Sequence, residues 1–389
     1  MKDRKILCLN SISELGTEKF REGYTLTDNA EEAHGILVRS ADMHDMEFEE
    51  SLRAIARAGA GVNNIPVERC AEQGIVVFNT PGANANGVKE LVVAGLMLAS
   101  RDIAGGIEWV RANAADPTVN KDAEKAKKAF AGTEIKGKKL GVIGLGAIGV
   151  LVANIAWQLG MDVYGYDPYI SVGAAWNLRT EIKHVDKIEE IYAMSDYITI
   201  HIPALESTKG MINAAAIAQM KDGVRILNYA RDTLVNDDDM AAALESGKVA
   251  KYVMDFPNAK TVNMTNCVVT PHLGASTEES ENNCAIMAVE ELQDYLDNGN
   301  IKHSVNYPDL DAGKCTAVSR LAMLHDNIPG MLSNITSTMS AENVNIANLY
   351  NKSRDKFAYT LVDLDERITD EALNALYKIN GMRRLRIVK

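Results

Sequence analysis

Short apolar runs alternate with amphipathic stretches through the first eighty residues of the chain. KILCL (5–9), GILVR (35–39) and GIVVF (74–78) read as strands, and the segments near 46–57 and 66–73 carry helical spacing. Such alternation predicts parallel strands joined by crossover helices. Residues 86–101, NGVKELVVAGLMLASR, form a long, nearly all-apolar helix. It is too short to span a membrane easily and carries Lys89 and Glu90, so burial at a domain or subunit interface is expected. Residues 113–139 turn to Ala and Lys, with Asp122, Glu124 and Glu134 interspersed, and read as a solvated surface segment.

A second α/β block runs from 139 to about 275. From 313 onward the pattern changes again. TAVSRLAMLHD, VNIANLYN, KFAYTLVDLD and RRLRIVK read as strands, with helices near 329–342 and 369–379. The order β-α-β-β-α-β is the ferredoxin-like split arrangement. NYPDLDAGK (306–314), with its Pro, Gly and paired Asp, reads as the linker before it.

Residues 140–167 carry the most specific local signal. An apolar strand, KLGVI, runs into Gly144-Leu-Gly146-Ala147-Ile148-Gly149, then a helix, then a strand ending at Asp167. Gly144 permits a tight turn, Gly146 lets backbone approach a pyrophosphate, and Gly149 lets the helix close on the sheet. The helix N-terminus offers unpaired amides and a positive dipole end to phosphates. Asp167 stands where a carboxylate accepts hydrogen bonds from ribose hydroxyls and repels a 2′-phosphate, which favours NAD over NADP.

Composition narrows the picture. A net charge of −12 over 389 residues argues against a general binder of nucleic acid or anionic membrane. No apolar run reaches a membrane span, and MKDRKILCLN lacks the features of a signal peptide. Five scattered cysteines (Cys8, Cys70, Cys267, Cys284, Cys315) fit reduced thiols in the cytoplasm better than disulfides or a zinc site. The other histidines show no spacing for metal ligation, so no metal is expected.

Three later strand ends run into polar residues: ITIHIPA (198–204), ILNYARD (226–232) and VVTPHLGAST (268–277). In a parallel sheet these ends line the cofactor crevice, which makes Arg231 and His272 site candidates. The combination of GLGAIG, HIP, NYAR and TPHLGAST resembles the D-isomer-specific 2-hydroxy acid dehydrogenases. VRS at 38–40, GAGVNNIP at 59–66, NTPGANANGVKELV at 79–92 and NIPG at 327–330 extend the resemblance over essentially the whole chain.

The resemblance implies a Rossmann-type NAD domain (83–275) inserted in a flavodoxin-like, discontinuous substrate domain (1–82 and 276–308). A ferredoxin-like ACT domain (314–389) follows. It implies His272 as the general base and Arg231 as the clamp on a substrate carboxylate. Arg39 and Ser40 match a phosphate-gripping segment, and Gly61 and Asn84 match substrate loops. Ala147, Ile148, His201, Pro203 and Ala230 belong to the cofactor wall, and Asp255 would hold the nicotinamide carboxamide. His325, Asn327 and Asn345 match positions that contact L-serine in serine-inhibited relatives. The implied reaction is oxidation of D-3-phosphoglycerate with NAD in a cytoplasmic homodimer or homotetramer, the first step of serine biosynthesis. Rival readings are a dehydrogenase for glycerate, hydroxypyruvate, 2-hydroxyglutarate or lactate, or an NAD-sensing binding protein.

The sequence departs from the family at three places. Phe256–Pro271 contains no carboxylate, and Ala259 or Lys260 stands where a glutamate usually orients the histidine. This predicts a less basic His272, unless Glu278, Glu279 or Glu281 supplies the missing acid. Asp232 replaces a glycine after Arg231, tolerable if that backbone is left-handed. Ala41 replaces what is sometimes a further basic residue.

Overall fold

The computed structural model describes residues 3–389, which form two units: the chain up to Ala83 together with Glu281–Lys389, and Asn84–Ser280. The N-terminal part of the first unit contains strands β1 (Arg4–Cys8), β2 (Tyr24–Thr27), β3 (Gly35–Val38), β4 (Ala54–Arg57) and β5 (Val76–Phe78). They make one parallel sheet in the order β2-β1-β3-β4-β5, the flavodoxin-like winding. The centre of this sheet is apolar on both faces, as a parallel sheet covered by helices requires.

Two of the five strands differ from the sequence reading. AIAR (54–57), expected within a helix, is the interior strand β4, paired with β3 and β5; Ala and Arg are good helix formers. Tertiary pairing overrides propensity there. YTLT (24–27) is the edge strand β2, too polar to stand out as a strand.

The second unit contains β6 (Lys139–Ile143), β7 (Asp162–Tyr166), β8 (Lys183–His184), β9 (Tyr197–Ile200), β10 (Val224–Asn228), β11 (Val249–Met254) and β12 (Cys267–Val269). All pair in parallel, in the order β12-β11-β10-β9-β6-β7-β8. This is the doubly wound Rossmann order, with its winding reversed between β6 and β9. The apolar helix Ala85–Ser100 buries Val88, Val92 and Leu96 in the core of this same unit, with Leu140, Val142 and Val253. That face therefore packs on its own unit's sheet. Among the described residues no helix is long and apolar enough to cross a membrane.

The C-terminal segment returns to the first unit as β13 (Ser319–Asp326), β14 (Ile346–Arg354), β15 (Phe357–Leu364) and β16 (Met382–Ile387), an antiparallel sheet in the order β14-β15-β13-β16. Period-2 alternation divides its side chains between two cores. Leu321, Met323 and Val362 pack with Ile335 and Met339 of helix Met331–Ala341 and Leu376 of helix Asp370–Tyr377. Ala322, Leu324, Tyr359 and Leu361 face the other way, into one cluster with Ile6, Leu292 and Tyr295.

The segment expected as a linker is a packed strap. Asn306 bonds both Val77 N and Ile75 O along the edge of β5, and the buried Tyr307 hydroxyl donates to Ala71 O at 2.6 Å. Its Pro and Gly mark turns, while Tyr307 and Leu310, both buried, fasten it down.

Candidate active site

Because every strand of the second unit's sheet runs in the same direction, their C-terminal ends share one edge. Read across that edge, His272 follows β12, Asp255 follows β11, Arg231 follows β10, His201 follows β9, Gly144 follows β6 and Asp167 follows β7. At about 4.8 Å per strand, His272 and the glycine loop lie four strand steps, about 19 Å, apart along the sheet.

The nucleotide end has the features a dinucleotide requires. Gly144 has φ 91°, where an L side chain is strained, and a Cβ there would meet the His201 carbonyl. A Cβ at Gly149 would run into the Gly144 carbonyl, whereas nothing lies within 4 Å of one at Gly146. Two glycines are therefore fixed by packing and the third by open space. Gly146 and Ala147 are exposed at the start of helix Ala147–Gln158, whose first amides have no side-chain cap. Asp167 clamps this loop: one carboxylate oxygen accepts from Leu145 N at 2.8 Å and the other from Tyr169 N at 2.9 Å. It is only half-buried, so each oxygen keeps a lone pair for a ribose hydroxyl.

The His201 ring sits beside this loop. Its Nε2 bonds the Thr199 hydroxyl at 2.9 Å, and its Nδ1 is buried without a partner. Burial pushes its pKa down to about 3, so it is a neutral wall and no proton carrier at ordinary pH. Pro203 is exposed and Ala230 half-buried on the loops after β9 and β10.

At the other end, Arg231 is exposed, and among the described residues its side chain bonds only the Ala230 carbonyl, at 2.6 Å. Buried Asn228 shapes its loop, donating to Arg231 O at 2.8 Å and accepting from Ala230 N at 3.2 Å. Asp232 opens the short 3-10 turn Asp232–Leu234 with ordinary backbone, so no left-handed residue is needed after the arginine. The left-handed residue is His272 itself, at φ 57°. Its exposed ring packs on Phe256 (4.8 Å between centroids) and takes no hydrogen bond among the described residues.

Among the described residues no carboxylate hydrogen-bonds that ring. Glu281 pairs with Arg39, and the side chains of Glu278 and Glu279 bond nothing among the described residues. Lys260 pairs with Asp238 at 2.6 Å. Asp255 acts on the backbone instead. It is 1% exposed and accepts from Leu273 N (2.8 Å), Gly274 N (2.7 Å) and the Thr270 hydroxyl (2.5 Å). Those bonds bracket His272 on both sides. The carboxylate that the sequence reading assigned to the carboxamide therefore also holds the histidine loop.

Two further groups are placed on their own elements. Arg39 and Ser40 follow β3, with one Arg39 nitrogen on Glu281. Asn10, just past β1, accepts from the backbone N–H groups of Arg39, Ser40 and Ala41 at 2.9–3.1 Å and so shapes this turn. Gly61 is half-buried on the loop after β4. Asn84 is the N-cap of helix Ala85–Ser100, yet its side chain makes no cap hydrogen bond.

Asn10, Asn228 and Asp255 escaped the sequence reading as positioning residues. Their shared signal is an apolar strand that ends on Asn or Asp (CLN, ILN, VMD).

In the C-terminal sheet, His325 and Asn327 line a cavity of about 370 Å³ that Asn345 does not line. His325 is buried with Nε2 on the Thr360 hydroxyl and Nδ1 on the Asp326 carbonyl, and burial lowers its pKa. Asn327 donates to Asp355 O at 3.1 Å, and Asn345 lies 3.4 Å from Asp365.

Residues 93–274 match the family model described as D-isomer specific 2-hydroxyacid dehydrogenase, NAD binding domain. The chain is 32% identical over 390 residues to D-3-phosphoglycerate dehydrogenase of Haemophilus influenzae, covering 95% of this chain and 90% of that one. It is 31% identical over 423 residues to the Escherichia coli protein of the same name, covering 99% and 97%. Among solved structures, the NAD+-bound 3-phosphoglycerate dehydrogenase of Entamoeba histolytica superposes with a TM-score of 0.61 at 28% identity, covering 79% of this chain and 100% of that one.

Proposed function

Since the chain belongs to the D-isomer-specific 2-hydroxyacid dehydrogenase family, we propose that it oxidises D-3-phosphoglycerate to 3-phosphohydroxypyruvate with NAD, the first step of serine biosynthesis. The observation that carries the substrate assignment is the similarity to D-3-phosphoglycerate dehydrogenases over nearly the full length of both chains. Bound NAD supplies the acceptor for the hydride that leaves C2 of the substrate. His272 takes the hydroxyl proton from that carbon, and in reverse its protonated form returns it to the ketone. Arg231, planar and permanently charged, holds the substrate carboxylate with two parallel N–H bonds. Arg39 and Ser40 take the phosphate, and Gly61 and Asn84 line the rest of the substrate.

Asp255 is a positioning residue in this scheme: it holds the loop in which His272 stands. The family's glutamate restrains the ring, whereas here the restraint lies on the backbone. The ring itself is steadied by packing on Phe256 and not by an acid.

NADH formation over a panel of D-2-hydroxy acids tests the assignment. D-3-phosphoglycerate is expected to show the highest kcat/KM among glycerate, lactate, 2-hydroxyglutarate and the phosphorylated acid. A preference for an unphosphorylated acid overturns the substrate. Turnover of none of them, with NAD still bound, turns the reading to a cofactor-sensing protein; the ring of His272 without a carboxylate is the observation that favours it.

The C-terminal sheet is assigned as an ACT-like module for L-serine, with His325, Asn327 and Asn345 at the ligand and two copies of the chain paired in a homodimer or homotetramer. Millimolar L-serine is expected to lower the rate and raise the melting temperature through mass action. An unchanged rate and melting curve remove the serine site.

A further inference from the structure

The last strand, MRRLRI, places three arginines within four residues of a chain whose net charge is −12. Alternation separates them. Arg383 is neutralised by a two-pronged pair with Asp326 at 2.7 and 3.0 Å. Arg384 and Arg386 stand on the opposite face, where no carboxylate pairs with either among the described residues: Arg384 donates to the Leu52 carbonyl, and Arg386 to the Tyr295 and Leu296 carbonyls and to the Tyr359 hydroxyl. The Arg386 guanidinium also lies over the Tyr295 ring at 4.2 Å, and its Nε is buried with no partner among the described residues.

These two residues approach the N-terminal ends of the first sheet, and more cations wait there. Arg4 opens β1, His34 precedes β3 and Arg53 precedes β4. Arg53 donates to the Glu50 carbonyl and pairs with no carboxylate among the described residues. His34 accepts from Lys5 N through Nδ1 at 3.2 Å, which leaves its Nε2–H as an unused donor. Arg4 meets Asp297 at 3.2 Å, but Asp297 also serves Arg21 and the Tyr24 hydroxyl. A cavity of about 520 Å³ opens among Arg4, His34, Arg53 and Arg386, with Asp3 the one acid in its lining.

The crowding has a cost. Burial, followed by repulsion from Arg384 and Arg386, lowers the pKa of Arg53, and burial likewise lowers those of Arg4 and Arg384. Arg4, Arg53 and Arg386 still surround one open cavity together, with a single carboxylate in its lining. An anion in that cavity would convert mutual repulsion into charge-assisted hydrogen bonds.

We propose that this cavity binds a small dianion, inorganic phosphate or a phosphate ester, through Arg53, Arg386, Arg4 and the Nε2–H of His34. It is separate from the phosphate grip at Arg39, because His34 and Arg39 flank β3 at opposite ends, about 16 Å apart at 3.3 Å per residue. A bound dianion there ties the C-terminal strand to the first sheet.

The test is thermal melting of the full chain in sodium phosphate against sodium chloride at matched ionic strength, with calorimetric titration of phosphate. Phosphate is expected to raise the melting temperature beyond chloride. Arg53→Gln should abolish that increment and weaken phosphate binding at least tenfold, while melting in chloride at or above wild type because repulsion is relieved. Arg4→Gln, a second lining cation, should show the same loss of the increment and serves if the first variant fails to fold. Arg39→Gln should keep the increment. Equal shifts in phosphate and chloride overturn the proposal. So does an increment that survives Arg53→Gln and Arg4→Gln but disappears in Arg39→Gln, which would place the phosphate at the catalytic end. Repeating the titration with glycerol phosphate separates the two sources: tighter binding than inorganic phosphate marks an ester site.

Discussion

Replacing His272 is expected to lower kcat by about 10²- to 10⁴-fold, the usual contribution of a positioned acid–base group. His272→Asn is the cleaner variant, because asparagine tolerates the left-handed backbone at φ 57° that alanine resists. It should retain wild-type NADH affinity and nearly the wild-type melting temperature, since the exposed ring packs only on Phe256 and hydrogen-bonds nothing among the described residues. Asp255→Asn should give a smaller loss. Its amide keeps one acceptor oxygen and turns an NH2 toward donors that need an acceptor, so the loop shifts and kcat falls about 10- to 100-fold. If Asp255 acts only through His272, the same change should cost nothing further in the His272→Asn background. Steady-state kinetics of the two single variants and the double variant decide it. A wild-type rate in His272→Asn rejects the mechanism, and a loss of NADH affinity in Asp255→Asn returns that carboxylate to the carboxamide.

The largest expected effect on stability is at Arg320. This guanidinium is 2% exposed and grips Asp363 with two bonds of 2.6 and 2.9 Å. The same side chain donates to Asn298 O at 2.9 Å and Gly313 O at 3.0 Å. It therefore ties β13 to β15, to the C-terminal end of the helix Glu278–Asn298 and to the strap that follows. Asp363→Ala leaves a buried cation facing only carbonyls, at a cost of about 3–5 kcal/mol. The urea midpoint of the first unfolding transition should fall accordingly. Removing both charges, as Arg320→Met with Asp363→Leu, should restore much of the loss, because the stranded charge is what destabilises. An Asp363→Ala variant within about 1 kcal/mol of wild type would mean that water or a shifted acid compensates.

The readable parts of the sequence were those whose chemistry is local. Gly144, Gly146 and Gly149 announce a nucleotide loop because each has its own backbone reason, and Asp167 closes the unit within the same stretch of chain. The four C-terminal strands were equally plain, since their alternation survives burial on two faces. What depended on distant residues was hidden. β4 is helix-prone sequence held extended by neighbours from elsewhere in the chain. The direction of the Asp255 side chain is decided by a loop almost twenty residues later. The pairing of Glu281 with Arg39 joins residues 242 apart in sequence. The strap at 306–314 looked like a linker because turn residues are visible in a sequence and the partners of Tyr307 are not.

Placing one site residue on each of six strand ends also determines how such a chain can change over time. Spacing among these groups is held by the pairing of neighbouring backbones, so the connections at the far edge of the sheet contribute nothing to it. Those connections can lengthen, shorten or be exchanged while the reacting groups keep their separations. A lineage inheriting this scaffold can remodel half its surface, acquiring new partners or controls there, without renegotiating its chemistry. The one-residue slip of a single strand, by contrast, moves a single group by about 3.3 Å and breaks the row.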